Sequence, residues 1–232
     1  MNDKHVLFIE DGDITEQVNR LRTVLKKQGI TLVETIFNLN EAKFRKENAE
    51  KSGETILDFE VIKTALQENF MLKKFDYVMC DFYFNDQETN GFRLVKWLKN
   101  VSKNERKFKI RSAKFSLYSS EKDKYIKELL SEEEIGNLIK LKLEDFYDRT
   151  RIAEDFGTSV IHNLQELNLK EKFVSELDKY KDMKFQSGYP KFKDMTLNEI
   201  ASEIEDDTHH GIGFQEALIE LTIAHLINLN KE

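Results

Sequence analysis

The sequence predicts an α/β fold: a five-stranded parallel sheet with helices on both faces, followed by an α-helical C-terminal region. Three observations carry this. Residues 6–9 are a continuous apolar run and 75–80 a run interrupted only by Asp76, the pattern of strands buried on both faces. Strand-like runs alternate with helix-like periodicity as far as residue 143, which is the order of a parallel sheet built with right-handed crossovers. Beyond residue 145 only helical spacing recurs.

The elements follow in order. Residues 6–9 form a first strand. Ile14, Val18, Leu21, Val24 and Leu25 recur at helical spacing, so a helix is expected over 14–28, stopped by Gly29. The β-branched residues of 31–37 predict a second strand. Residues 40–70 are expected to be mostly helical, broken near Ser52 and Gly53. A third strand covers 75–80, and a polar and aromatic loop runs over 82–90. A helix over 91–101 buries Phe92, Val95 and Leu98. A fourth strand spans 114–118, a helix 123–130 and a fifth strand 138–143. The C-terminal region then reads as helices over 152–167 and 171–180 and a loop at 186–190. Thr196 and Glu199 have the spacing of a capping box. In the unit opening at Thr196, which ends in an apolar helix over 214–229, Leu197, Ile200, Phe214, Leu218, Leu221 and Leu226 are expected to be buried. The division expected is 1–148 for the α/β domain and 149–232 for the helical region.

Composition narrows the class. A single cysteine, Cys80, rules out a disulfide framework and fits a reducing compartment. No apolar stretch approaches the roughly 18 residues of a membrane span, and the first residues lead straight into a strand without the layout of a signal peptide. A cytoplasmic protein with no membrane association is expected. Residues 1–149 carry 27 Lys and Arg against 27 Asp and Glu, whereas 150–232 carry 9 against 16. The whole net charge of −7 therefore lies in the C-terminal third, which disfavours DNA as its partner.

Acidic residues fall at strand ends. Glu10 and Asp11 follow the first run, and Asp81 ends the third. Open α/β sheets place their sites at the carboxyl ends of strands. If the first and third strands are neighbours, three carboxylates converge, and like charges so close require a cation. Oxygen ligands completed by water suit Mg²⁺, and one carboxylate can act as a nucleophile toward phosphorus.

With these residues in view, positions 5–143 resemble the receiver domain of two-component response regulators. Glu10 and Asp11 match the acidic pair after strand one, and Asp81 matches the phosphoacceptor. Gly91 with Phe92, Leu94 and Leu98 resembles the glycine and amphipathic helix that follow the acceptor loop. Ser119 matches the hydroxyl residue ending strand four, and Lys140 or Lys142 the lysine ending strand five. Spacing from Gly136 favours Lys140, while the run from Lys142 to Phe146 favours Lys142. The family's lysine is followed by proline, whereas here Leu141 and Leu143 follow.

The resemblance implies a flavodoxin-like sheet in the order 2-1-3-4-5. It also implies Mg²⁺ held by Glu10, Asp11, Asp81 and the Tyr83 carbonyl, and transfer of a phosphoryl group to Asp81. Ser119 would bind a phosphoryl oxygen, and the lysine would pair with acceptor or phosphoryl group. Such a protein catalyses its own phosphotransfer and autodephosphorylation and is not a conventional enzyme. Its partners would be a histidine kinase or phosphotransfer protein and a protein output partner, with a homodimer through the C-terminal helices as a further outcome. The alternative is a receiver-like scaffold that works by protein contacts alone. A haloacid dehalogenase-type phosphatase needs a second Asp two residues beyond its nucleophile. Tyr83 stands there after Asp81, and Asp11-Gly-Asp13 has the spacing without the motif around it.

Overall fold

A computed structural model describes residues 2–48, 51, 53–84, 89–105, 107–129, 141–165, 169–186 and 189–229. Among them the chain forms two compact units, Met1–His162 and Asn163–Glu232.

The first unit is built on a parallel five-stranded sheet. Its strands are β1 (Asn2–Glu10), β2 (Ile30–Asn38), β5 (Tyr77–Asp81), β6 (Lys114–Ser119) and β7 (Phe146–Asp148), in the spatial order β2-β1-β5-β6-β7. With the small hairpin of β3 (Arg45–Glu47) and β4 (Thr55–Leu57) set aside, this is the expected 2-1-3-4-5. The helices are α1 (Thr15–Lys26), α2 (Phe59–Asn69), α3 (Gly91–Asn104) and α4 (Lys122–Leu129), with α5 (Ile152–Gln165) following the last strand.

Side-chain alternation along the strands divides the core. Leu7, Ile9, Val78, Cys80, Phe115 and Leu117 form one layer with Ile62 and Leu66 of α2, Leu94, Val95 and Leu98 of α3, and Tyr125 of α4. On the opposite face the Tyr77 ring meets Phe156 of α5 edge-on at 5.0 Å, and Tyr147 lies 5.6 Å from the same ring. A Cβ on Gly157 would come within 3.1 Å of Val24, so α5 also lies close on α1. These contacts bring α5 into the first unit and carry it to His162, past the expected division at 148.

Two expectations need correction. The described residues between 40 and 57 form no α-helix: a 3₁₀ turn at Ala42–Phe44 leads into the antiparallel hairpin β3 (Arg45–Glu47) and β4 (Thr55–Leu57). The Glu, Ala and Lys residues here favour a helix locally, but burial of Phe44 and Leu57 against the core overrides that weak preference. The fifth strand of the sheet is Phe146–Asp148; of the expected 138–143, residues 138–140 lie outside the described residues and 141–143 form no strand. Leu117 pairs with Phe146, Tyr118 with Tyr147 and Ser119 with Asp148.

The second unit comprises α6 (Leu169–Asp178), α7 (Leu197–Glu205) and α8 (His209–Leu229). Thr196 and Glu199 form the expected capping box. Phe214 is the hub of the core, its ring within 5.0–6.3 Å of Phe192, Phe185, Tyr189 and Phe173. Gly211 lets α8 start against α7, since a Cβ there would stand 2.1 Å from the Glu203 carbonyl oxygen. Ile200 and Phe214 are buried as expected, but Leu221 and Leu226 are 62% and 52% exposed. The core ends near Leu218, and α8 continues past it.

Candidate functional site

The site lies at the carboxyl ends of β1, β5 and β6. Ile9 pairs with Cys80, so Glu10 and Asp81 come level on neighbouring strands, and Asp81 pairs in turn with Tyr118. These residues share one face by strand alternation. Glu10 is fully buried and Asp81 is 3% exposed. Glu10, Asp11 and Asp81 each place a carboxylate oxygen within 4.8 Å of the others, the one such group among the described residues able to share a metal ion. The donors are all hard oxygens, which fit Mg²⁺.

Buried carboxylates need donors, and each oxygen has an assigned one. Glu10 Oε1 accepts from the Gly12 amide at 2.9 Å, and Oε2 from the Tyr118 hydroxyl at 2.8 Å. Asp81 Oδ1 accepts from the Tyr83 amide at 3.1 Å. The Asp81 carboxyl is pushed up to about 8, by burial first and then by the Glu10 charge, against the opposing pull of the Tyr83 amide and Arg149. Burial, followed by the charges of Glu10 and Asp81, drives the Tyr118 phenol well above its ordinary range, so it remains a donor to Glu10.

The cation at this edge is Arg149. Nη1 lies 2.8 Å from Asp81 Oδ2, and Nη2 lies 3.2 Å from Glu10 Oε2 and donates to the Asp13 carbonyl at 2.9 Å. Arg149 follows β7 directly. Asp148 fixes the turn by accepting from the Thr150 amide at 2.8 Å and from its hydroxyl at 2.6 Å. Lys142 does not end the strand. It precedes β7 with a left-handed backbone (φ 47°), and its carbonyl accepts from Lys99 at 3.0 Å. Glu144, two residues on, pairs with Lys114 at the start of β6, so Lys142 stands toward the amino end of the sheet. Lys140 lies outside the described residues. The missed signal was the Phe-Tyr-Asp-Arg run at 146–149: a short strand of aromatic residues followed by a cation.

The remaining expected parts fall at this edge. Ser119 ends β6, buried, its hydroxyl accepting from the Glu121 amide at 3.1 Å. Gly91 is a steric necessity: its amide donates to the Phe82 carbonyl at 2.8 Å, and a Cβ would sit 1.8 Å from the Asp81 carbonyl oxygen. Of the aromatic loop residues, Phe82 and Phe84 are buried and Tyr83 is 47% exposed. Phe82 packs on Tyr125 and stacks with Phe146, and Tyr83 stacks with Tyr125.

The fold is receiver-like. Strand order, register and the placement of Glu10, Asp11 and Asp81 at one sheet edge decide it. No family profile matches the sequence, and no curated protein matches it. Similar solved structures include a response regulator from Thermotoga maritima, at 14% identity over 71% of this chain and 99% of that one, with a TM-score of 0.39. A sensor protein from Polaromonas sp. JS666 is 12% identical over 68% of this chain and 94% of that one, with a TM-score of 0.41. A Francisella response regulator receiver domain is 13% identical over 70% and 99%, with a TM-score of 0.35. Likenesses this distant add no weight to the assignment.

Proposed function

We propose that this chain is a phosphorylation-dependent signalling protein that accepts a phosphoryl group on Asp81. The observation that carries the reading is the meeting of Glu10, Asp11 and Asp81 at one sheet edge, beside the strand that ends at Ser119. An Asp81 oxygen attacks phosphorus of a phosphohistidine donor on a kinase or phosphotransfer protein. The P–N bond breaks, the imidazole leaves with the electron pair and takes up a proton, and an acyl phosphate remains. Glu10, Asp11, Asp81 and the Tyr83 carbonyl would hold Mg²⁺, which would neutralise charge on the phosphoryl oxygens. The Ser119 hydroxyl donates to one of those oxygens. Arg149 takes the part sought in Lys142, with a planar donor fork suited to phosphoryl oxygens, while Lys140 lies outside the described residues.

The stacks of Phe82 and Tyr83 on Tyr125 and Phe146 support α4 and β7 as the elements that respond. The apolar end of α8 supports output through a protein partner or a second copy of the chain. No helix among the described residues is long and apolar enough to cross a membrane.

Treatment with acetyl phosphate and Mg²⁺, followed by intact-mass measurement, tests the reading. Wild type should gain one phosphoryl group and Asp81→Asn none. Wild type that gains nothing sinks it. The ion pairs of Arg149 favour a second reading, a scaffold with a permanently neutralised site. Equal partner affinity of wild type and Asp81→Ala, with no Mg²⁺ binding, would select that one.

A further inference from the structure

We infer that Arg149 is a built-in counter-ion and that a divalent cation enters this site by displacing its guanidinium from Asp81 and Glu10. The inference rests on reading Glu10, Asp11 and Asp81 as a cation site.

The allocation of oxygens comes first. Asp81 Oδ1 is committed to the Tyr83 amide, which leaves Oδ2 for an incoming group, and Arg149 holds Oδ2. Glu10 Oε1 is committed to Gly12, and Arg149 shares Oε2 with Tyr118. A cation joining the ends of β1 and β5 needs the oxygens that Arg149 occupies. The spacing agrees. Six oxygens at about 2.1 Å from Mg²⁺ stand about 3 Å from their neighbours and about 4.2 Å from their opposites. One oxygen from each of Glu10, Asp11 and Asp81 lies within 4.8 Å of the others, a span an ion could bridge. A guanidinium held between Asp81 and Glu10 stands in the place of that ion.

Arg149 is also firmly placed. Its side chain is 19% exposed, it donates to the Asp13 carbonyl, and Asp148 pins the turn that carries it. A fixed positive charge within hydrogen-bond reach of two ligands opposes a second cation on those ligands. Once displaced, the same fork is free to meet a phosphoryl oxygen. Cation binding would thereby arm the site as well as neutralise it.

Full-length protein with isotope-labelled arginine reports on the guanidinium directly, its Nε–H signal assigned by loss in Arg149→Lys. The signal should shift during a Mg²⁺ titration with the midpoint that calorimetry gives for saturation. Arg149→Met should bind Mg²⁺ about ten-fold more tightly than wild type. A signal that stays in place while calorimetry reaches saturation overturns the inference, as does unchanged or weaker binding by Arg149→Met. If Arg149→Met does not fold, Arg149→Lys supplies the comparison, with tighter binding expected and equal binding counting against displacement. Absence of Mg²⁺ binding in every variant overturns both the inference and the cation site. Failure of Asp81 to gain mass, with Mg²⁺ results as expected, overturns only the phosphoacceptor role.

Discussion

In Met1–His162 two carboxylates lie buried at a sheet edge, whereas in Asn163–Glu232 a run of apolar side chains along α8 is exposed. Glu10 and Asp81 are buried in the first unit at the end of a sheet whose core strands are fully packed. In the second, Ile219, Leu221, Ile223, Leu226, Ile227 and Leu229 of α8 are each more than half exposed. Both arrangements cost stability, one by desolvating carboxylates and the other by hydrating hydrocarbon. On the proposed function each would be relieved by something that binds: a cation or phosphoryl group at the sheet edge, a protein surface at α8. That reading assigns chemistry to the first unit and contact to the second.

The largest effect should come from dividing the two units energetically. Phe214→Ala removes the hub of the second core and should cost about 3–5 kcal/mol there. Hydrogen exchange should show protection lost over α6, α7 and α8 and kept along β1, β5 and β6. Equal loss in both would mean that the units are not separately cooperative.

Next comes Gly91→Ala. The added Cβ overlaps the Asp81 carbonyl oxygen, so α3 or the end of β5 must move, at about 1–3 kcal/mol or more. Thermal melting should show the loss, and Mg²⁺ affinity should fall with it because Asp81 is displaced. A normal melt with normal Mg²⁺ binding would contradict the close approach of α3 to the acceptor strand.

The three site carboxylates were readable in the sequence because each follows a continuous apolar run, and such runs fix both strand position and strand end. The cation was not, because β7 is only three residues long and carries two aromatic residues that also suit a loop. Lys140 drew attention by its spacing from Gly136 and Lys142 by the run that leads to Phe146, and Arg149 lay beyond the expected strand. The hairpin at 45–57 was hidden for a different reason: its residues prefer a helix locally, and only tertiary burial of Phe44 and Leu57 decides against it. The exposed end of α8 was misread because helical spacing shows which residues share a face but not whether anything in the chain covers that face.

A smaller change tests the buried charge. With its carboxyl raised to about 8, folded Asp81 keeps its proton where the unfolded chain has released it. Stability contributed at this position therefore falls as pH rises from about 4 through about 8, because the folded state binds more protons across that window. Asp81→Asn cannot ionise and escapes the loss. Without divalent cation, its melting temperature should exceed that of wild type by about 2–4 °C near pH 8 for each kcal/mol regained, and the difference should close toward pH 4. Added Mg²⁺ should stabilise wild type and leave Asp81→Asn little changed. A gap that widens on acidification would refute the raised Asp81 carboxyl.

The smallest effect on folding, and the sharpest on assembly, is expected from α8. Ile219, Ile223 and Leu226 share one stripe of the helix by 3.6-residue geometry, and Ile212 extends it by two turns. These side chains are exposed, so Ile219→Glu with Leu226→Glu should change folding stability by no more than about 0.5 kcal/mol. An apolar stripe on a soluble protein marks a contact surface. Two copies of one helix can bury such a stripe against each other without any charged partner, and Glu216 and Glu220 are the only charged side chains from Ile212 to Leu229. Light scattering should therefore give a dimer for the full-length chain and a monomer for the double variant, with equal melting in dilute solution. A monomeric wild type that melts like the variant would assign the stripe to a different protein. A large loss of stability in the variant would mean that α8 is covered within its own chain, and the contrast between the two units would fail at that point.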